Sequence, residues 1–351
     1  MKRFALLTLE YPPFLGGIAS YYQNWFGLLK PEEFIVIVPD TLVAAKNETN
    51  VVRLPFFAKY FWPHWLVLIW RTARVCRQEK IKYLWVPHIL PLGEVAFFLK
   101  IFFGYQYIVA FHGTDAFLIQ QSAWKKFLSR IICRLAYEVV ATSQHTAEMV
   151  STFTRQKITV LTPCLSLALP PALKQPKQNI IVSVARLVPE KGIDLGLVAA
   201  AHLYHEFKNF KYIVVGAGRE KEKLLKLVDK LGLQPVVEFV ESKSVAEAHA
   251  YYEVAKVMLV PSVREAFGIV ALEAAWYGVP VVASSVGGLV EAVKENKSGF
   301  LVHPAATKVM AQKLRQVLEM PEPDYLKLVV SAQAWAKEFS CERSKITEVI
   351  F

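Results

Sequence analysis

The stretch that decides the fold runs from Val257 to Gly288: Val257-Met-Leu-Val260-Pro-Ser-Val-Arg-Glu265-Ala-Phe-Gly-Ile-Val-Ala-Leu-Glu273-Ala-Ala-Trp-Tyr-Gly278-Val-Pro-Val-Val-Ala-Ser-Ser-Val-Gly-Gly288. The apolar run Val257 to Val260 is short and stops at Pro261-Ser262, as a strand buried on both faces of a parallel sheet does. A helix is expected to begin near Phe267, with Gly278 at its C-cap and a second strand over Val279 to Ala283, which makes one βαβ unit. Glu265 falls in the loop and Glu273 in the helix, eight positions apart. Fully helical, that separation would span about 12 Å, so the two carboxylates can serve different parts of one extended ligand. Between them, Ala266, Phe267, Gly268 and Ile269 open the helix, where unpaired N–H groups and the positive dipole end favour an anion.

Working outward, apolar runs alternate with helical patterns on both sides of this unit. Strands are predicted at Phe4 to Leu9, Phe34 to Val38, Val51 to Pro55, Tyr83 to Val86, Tyr107 to Phe111, Glu138 to Ala141 and Ile158 to Leu161. Helices are predicted most clearly over 18–29, 64–78, 93–103 and 123–136. Pro163, Pro170, Pro171 and Pro176 then punctuate a stretch without periodicity. The pattern restarts with strands at Ile180 to Val184, Tyr212 to Gly216 and Val236 to Val240, and with helices over 191–207, 219–231 and 244–254. This predicts an α/β chain of two doubly wound, Rossmann-like domains: residues 1–165, a linker over 166–179, a second domain over 180–322, and closing helices over 323–351 that cross back to the first. Ligands of such sheets collect beyond the carboxyl ends of the strands, so the site is expected in a cleft between facing domains.

Charged and glycine-rich turns fall at those ends. After the first strand comes Tyr11-Pro-Pro-Phe-Leu-Gly16-Gly17-Ile18, where paired glycines admit a ligand to the backbone. His112 and Asp115 follow the strand ending at Phe111; Arg186 and Lys191 follow the strand ending at Val184. Two cations there suit a diphosphate, arginine as a planar fork and lysine as a point charge. Gly216-Ala-Gly218 ends another strand, and its missing third glycine argues against a dinucleotide fingerprint.

Glu265-Ala-Phe-Gly-x4-Glu273-Ala, Tyr277-Gly-Val-Pro-Val-Val-Ala and Gly287-Gly288, taken with Pro12-Pro13-x-x-Gly16-Gly17-Ile18 and Arg186-x4-Lys191-Gly192, closely resemble glycosyltransferase family 4, retaining enzymes of GT-B fold with a glutamate-x7-glutamate motif. The resemblance implies that Glu273 binds the ribose hydroxyls of a UDP- or GDP-sugar, Glu265 and His112 the transferred sugar, and Arg186 and Lys191 the diphosphate. It implies that Gly16, Gly17, Gly216 and Gly218 line the donor, and that the backbone near Val236 to Val240 holds the base. No cofactor is expected, the nucleotide-sugar being a co-substrate, and no metal. Two strings depart from the pattern: Pro163-Cys-Leu-Ser166 stands where relatives often carry Pro-Asn-Gly, and Glu241 where they usually carry glycine.

Composition narrows the partners. The 351 residues carry a formal charge of +11, and residues 1–170 hold 18 Lys/Arg against 10 Asp/Glu, so the excess belongs to the first half. Without a recognisable nucleic-acid module, nucleic acid is excluded. Phe56 to Arg71 holds seven aromatics, with Arg74 and Arg77 beyond. Two readings stand open for that segment: a core helix with an aromatic loop, or a segment lying in an anionic membrane interface. Phe97 to Phe103 reads as core, capped by Gly104. Cys76, Cys133, Cys164 and Cys341 show no metal spacing and no disulfide framework, which fits free thiols in a reducing compartment. The expected protein is a cytoplasmic hexosyltransferase, peripheral to the inner face of a membrane, acting on a glycan or lipid-linked acceptor. A nucleotide-sugar epimerase of the same fold and a non-catalytic nucleotide-sugar or membrane scaffold are the rivals.

Overall fold

The computed structural model describes residues 3–12, 16–42, 50–57, 62–166, 177–241 and 245–350. The chain divides into two units, Met1–Ser166 with Cys341–Phe351, and Leu167–Ser340. In the first, the elements run β1 Phe4–Leu7, α1 Gly17–Phe26, β2 Phe34–Pro39, β3 Val51–Leu54, α2 Leu66–Gln78, β4 Tyr83–Val86, α3 Glu94–Phe103, β5 Gln106–Phe111, α4 Thr114–Gln120, α5 Ala123–Leu135, β6 Glu138–Ala141, α6 Gln144–Ser151 and β7 Ile158–Val160. The second contains β8 Gln178–Val184, α7 Ile193–Glu206, β9 Lys211–Val215, α8 Lys221–Leu231, β10 Val237–Val240, α9 Val245–Val254, β11 Ala255–Val260, α10 Ile269–Trp276, β12 Val281–Ser284, α11 Leu289–Ala292, β13 Gly299–Val302, α12 Thr307–Leu318 and α13 Glu322–Lys337. The last helix, α14 Arg343–Ile350, belongs to the first unit.

Each unit is a parallel sheet with helices on its faces, the Rossmann-like architecture the alternating pattern predicts. The first sheet has seven strands in the order β3-β2-β1-β4-β5-β6-β7, and the second has six in the order β10-β9-β8-β11-β12-β13. Strand order reverses direction between β1 and β4 in the first sheet and between β8 and β11 in the second. These are the switch points at which the loops beyond the carboxyl edge part and admit ligands. The strands at the switch are almost wholly buried, β1 from Phe4 to Leu7 and β11 from Val257 to Val260, because helices cover both sides of a parallel sheet.

Several details differ from the sequence reading. The helix expected near Phe267 starts at Ile269, after Gly268 has adopted a left-handed φ of 96°, so Ala266 to Gly268 form loop. The following strand starts at Val281 instead of Val279. Of the closing helices, α13 lies in the second unit and only α14 in the first. Most of the expected linker, 167–176, lies outside the described residues, and β8 already begins at Gln178. Phe97 to Phe103 is not all core: Ile101, Phe102 and Phe103 are exposed, although Phe103 keeps an edge-on contact with Trp70 of α2, centroids 5.4 Å apart.

The cysteine reading is also overturned. Cys164 and Cys341 form a disulfide across 177 positions of sequence, while Cys76 and Cys133 are free and buried. The thiols therefore carry no argument for a reducing compartment. The bridge fastens the start of the α14 segment to the end of the first unit, and Arg343 adds a two-toothed ion pair to Glu33, 2.6 and 2.8 Å to its two carboxylate oxygens. No described helix is long and apolar enough to cross a membrane.

Candidate functional site

The second unit assembles its charged groups at the switch point. Lys191 leaves the loop after β8 and Glu265 the loop after β11, adjacent strands in the sheet. Their side chains meet with Nζ 2.6 Å from Oε2, and the Ser262 hydroxyl donates to the same oxygen at 3.2 Å. Both partners are largely buried, where a charge without a partner would be costly. Arg186 lies exposed in the same β8 loop.

Close backbone packing holds this arrangement. A Cβ on Gly192, just after Lys191, would collide with the Pro261 carbonyl oxygen; one on Gly287 would collide with the Glu265 carbonyl, and one on Gly288 with the Ala266 carbonyl. Gly288 N–H donates to the Glu265 carbonyl at 3.0 Å. The Gly287-Gly288 pair is therefore what lets the β12 loop lie against the Glu265 loop and fix it. Phe267 turns its ring into the core against Phe339, centroids 5.7 Å apart, so only its backbone faces the loop. Gly216 and Gly218 end the β9 loop with no room for a side chain against the carbonyls of Ala185 and Leu187, one on each side of Arg186.

Glu273 sits in a different setting on α10. Its Oε2 accepts from the Tyr252 hydroxyl at 3.4 Å and lies 3.9 Å from His249 Nε2. His249 Nδ1 is 3.3 Å from the Tyr277 hydroxyl. Burial pushes the Glu273 carboxyl up to about 7, partly offset by the Tyr252 hydrogen bond. Burial also lowers His249 below its ordinary value, so the imidazole is neutral and offers Glu273 little charge compensation. Behind this cluster Lys177 donates to the carbonyls of Tyr252, Glu253 and Tyr277 at 2.6, 2.9 and 3.3 Å, tying the ends of α9 and α10 together. Tyr252, His249 and Tyr277 escaped the sequence reading, since aromatic residues on a helix read as core.

In the first unit, Gly16 is the N-cap of α1 and Gly17 its first residue, with no side-chain cap and no acidic residue in the first turn. A Cβ on Gly17 would meet nothing within 4 Å, so packing does not demand this glycine. His112, after β5, is buried between the rings of Tyr21 and Tyr22, centroids 5.1 and 5.4 Å away. Trp85 Nε1 donates to the Tyr22 oxygen at 2.9 Å, and the same hydroxyl shares a hydrogen bond with His112 Nε2, also 2.9 Å away. Burial, and secondarily His88, lowers His112 to about 3, so the ring is neutral at physiological pH. Asp115 Oδ1 accepts from the backbone N–H groups of His112 and Ala116 at 3.0 and 2.8 Å, while burial pushes its carboxyl up to about 7. Asp115 thus fixes the loop that carries His112.

His88 was missed. It follows β4 at the switch point, with Nε2 3.4 Å from the Thr8 hydroxyl, and burial lowers it to about 4. A histidine two residues past the apolar run Tyr83 to Val86, beyond Pro87, was the available signal. Among the described residues no three His, Cys, Asp or Glu side chains converge as metal ligands.

Comparison with known proteins bears on the family and the fold. Residues 15–169 match the model described as Glycosyltransferase Family 4, and residues 169–335 the model described as Glycosyl transferases group 1. Over 342 residues the chain is 23% identical to an uncharacterized glycosyltransferase of Methanocaldococcus jannaschii, covering 96% of this chain and 94% of that protein. It is 25% identical to the GDP-mannose-dependent alpha-(1-6)-phosphatidylinositol monomannoside mannosyltransferase of Mycobacterium tuberculosis, covering 91% of this chain and 89% of the relative. Among solved structures, Anabaena HepE in complex with UDP and glucose superposes with a TM-score of 0.83 at 18% identity, over 100% of this chain and 99% of its own. That likeness is one of fold.

Proposed function

The chain is a glycosyltransferase of GT-B fold, and from that premise we propose that it is a retaining, metal-independent enzyme moving a hexose from a UDP- or GDP-sugar to a glycan or lipid-linked acceptor beside a membrane. The observation that carries the donor site is the Lys191–Glu265 pair at the switch point of the second sheet, with Arg186 in the same loop. The relatives' names supply the donor class: one is GDP-mannose-dependent and one solved neighbour holds UDP and glucose.

In this reading the diphosphate competes with Glu265 for Lys191, and Arg186 closes on it as a planar fork. Glu265, released from the lysine, accepts from a hydroxyl of the transferred sugar, while Glu273 accepts from the ribose. The bond from the sugar's anomeric carbon to the diphosphate oxygen breaks, and the acceptor oxygen bonds to that carbon from the same face. The acceptor's proton passes to the departing phosphate oxygen. No side chain is assigned as a nucleophile. Two cations beside the departing diphosphate stabilise its developing charge, the role a metal plays elsewhere. Neutral His112 is assigned to a sugar hydroxyl.

A thermal-shift screen of UDP-, GDP- and ADP-sugars on wild type and Arg186→Ala tests the donor site, because a ligand that binds only the folded state raises the melting temperature. The expected result is a shift by one nucleotide class that Arg186→Ala loses. Equal shifts in both proteins would refute the assignment of Arg186. Transfer that stops in EDTA, or a product of inverted anomeric configuration, would overturn the metal-independent retaining reading.

A further inference from the structure

α2, α3 and α5 follow three crossovers that step the same way across the first sheet, β3 to β4, β4 to β5 and β5 to β6. Right-handed crossovers in one direction put all three helices on one face of that sheet. Ring contacts confirm that α2 and α3 are neighbours, with Trp65 5.9 Å from Phe98 and Trp70 5.4 Å from Phe103. The outer side of this layer is aromatic. Trp62, just before α2, is 87% exposed; Trp70 is 67%, Phe102 64% and Trp124, on α5, 68% exposed. Among the described residues the exposed tryptophans and phenylalanines lie on these helices or just before them, save Phe57 in the loop after β3, whereas the exposed large hydrophobics of the second unit are all Val or Leu.

The same helices are one-sidedly basic. α2 carries Arg71, Arg74 and Arg77; α3 carries Lys100; α5 carries Lys125, Lys126, Arg130 and Arg134. Their one acidic residue is Glu94, whose carboxyl burial pushes up. None of the basic side chains pairs with a carboxylate among the described residues. A protein interface is depleted of lysine at its centre. Aromatic rings interleaved with Lys and Arg are instead the composition of a surface lying at the headgroup level, where rings enter the boundary and cations meet lipid phosphates.

We propose that the α2–α3–α5 face is a docking surface for an anionic lipid bilayer. The outer rings enter the headgroup region and the arginines and lysines contact lipid phosphates, seating the first unit on the membrane as a monotopic contact. The proposal deepens the membrane-beside-acceptor part of the function above and rests on it for its purpose, but not for its test.

The test is co-sedimentation of the full chain with vesicles of phosphatidylcholine alone and with phosphatidylglycerol added, across a salt series. Wild type, Trp70→Ser with Phe102→Ser, Trp124→Ser with Phe127→Ser, and Arg130→Glu with Arg134→Glu are compared. All of these side chains are exposed, and a cooperative thermal melt without ligand checks that each variant is folded. Wild type is expected to bind anionic vesicles, to release as salt rises, and to ignore neutral ones. Each aromatic pair variant is expected to lose binding at least tenfold, and the charge reversal to lose the preference for anionic lipid. Binding equal across all variants, or none by folded wild type, overturns the proposal. So does a wild-type dimer in light scattering that the aromatic variants dissolve, which would make the face a protein interface. A donor shift that survives while vesicle binding fails would refute docking and leave the donor site standing; the reverse would refute the donor site alone.

Discussion

Glu273→Gln separates a buried carboxylate from its shape. The ordinary glutamate value used for comparison is 4.5, and burial raises the folded carboxyl to about 7. Between those values the folded chain keeps a proton that the unfolded chain has released, so stability falls as pH rises through this window. Each tenfold change in the proton equilibrium corresponds to about 1.4 kcal/mol, so ionising Glu273 costs the folded state about 3 kcal/mol by pH 8. The glutamine keeps the hydrogen-bonding reach to Tyr252 without the charge. It is expected to match wild type near pH 4.5 and to exceed it by up to about 3 kcal/mol at pH 8, or roughly 6–10 °C for a unit of this size. The assay is thermal melting from pH 4.5 to 8.5, following the transition that the nucleotide-sugar raises. Asp115 is also raised to about 7, but it is present in both proteins and drops out of the difference. Parallel pH profiles for the two proteins would refute the account of Glu273 as an uncompensated buried carboxylate. An ionised Glu273 that accepts from ribose also predicts donor binding that strengthens as pH rises from 6 to 8 in wild type and stays flat in Glu273→Gln.

Gly17→Ala is expected to leave stability unchanged or raise it by up to about 1 kcal/mol, since alanine is the better helix former, and to lower transfer severalfold; unaltered kinetics would remove Gly17 from the site. Gly288→Ala has no such room against the Ala266 carbonyl and is expected to destabilise by about 2–4 kcal/mol with loss of donor binding; a melt like wild type would contradict the packing of that loop. Tyr22→Phe leaves the Trp85 and His112 nitrogens without their shared hydroxyl, costing about 1–3 kcal/mol and lowering kcat through the freed His112 ring; urea melts and steady-state rates check both. Cys341→Ser is expected to cost about 2–4 kcal/mol in the unfolding of the first unit, and dithiothreitol should bring wild type to the same value; no response to reductant would contradict the Cys164–Cys341 bridge.

The sheet was legible because buried parallel strands are written as short apolar runs, and the order of strands and helices follows from their alternation. Placement at the strand ends was legible too, and position together with the family resemblance singled out Arg186, Lys191, Glu265 and His112 as candidates. What sequence could not supply was pairing. Cys164 and Cys341 look isolated because disulfide connectivity is not a function of spacing, and their contact depends on the chain returning as α14. Phe102 and Phe103 look like core because a continuous aromatic run does not say which of its residues the helix turns outward. Val281 starts its strand two residues late because Gly278, with φ 67°, and Pro280 spend those residues on a turn.

The glycines sort by what a methyl group would strike. At Gly192, Gly216, Gly218 and Gly287 it would strike a backbone carbonyl of the adjoining strand-end loop, namely that of Pro261, Ala185, Leu187 or Glu265. Packing alone accounts for those glycines: Gly216 and Gly218 hold the loop that presents Arg186, and Gly192 and Gly287 draw together the loops of Lys191 and Glu265. The Lys191–Glu265 contact, joining residues 74 apart in sequence, is thus set by backbone that only glycine permits. Gly17 is the opposite case, a glycine with open space at a helix start that lacks a side-chain cap. Packing gives no reason for a bare α-carbon there, and the proposed function supplies one, the close approach of a donor to the backbone. Substitution at Gly17 should therefore alter turnover without loss of stability, whereas substitution at Gly216 should lower both together.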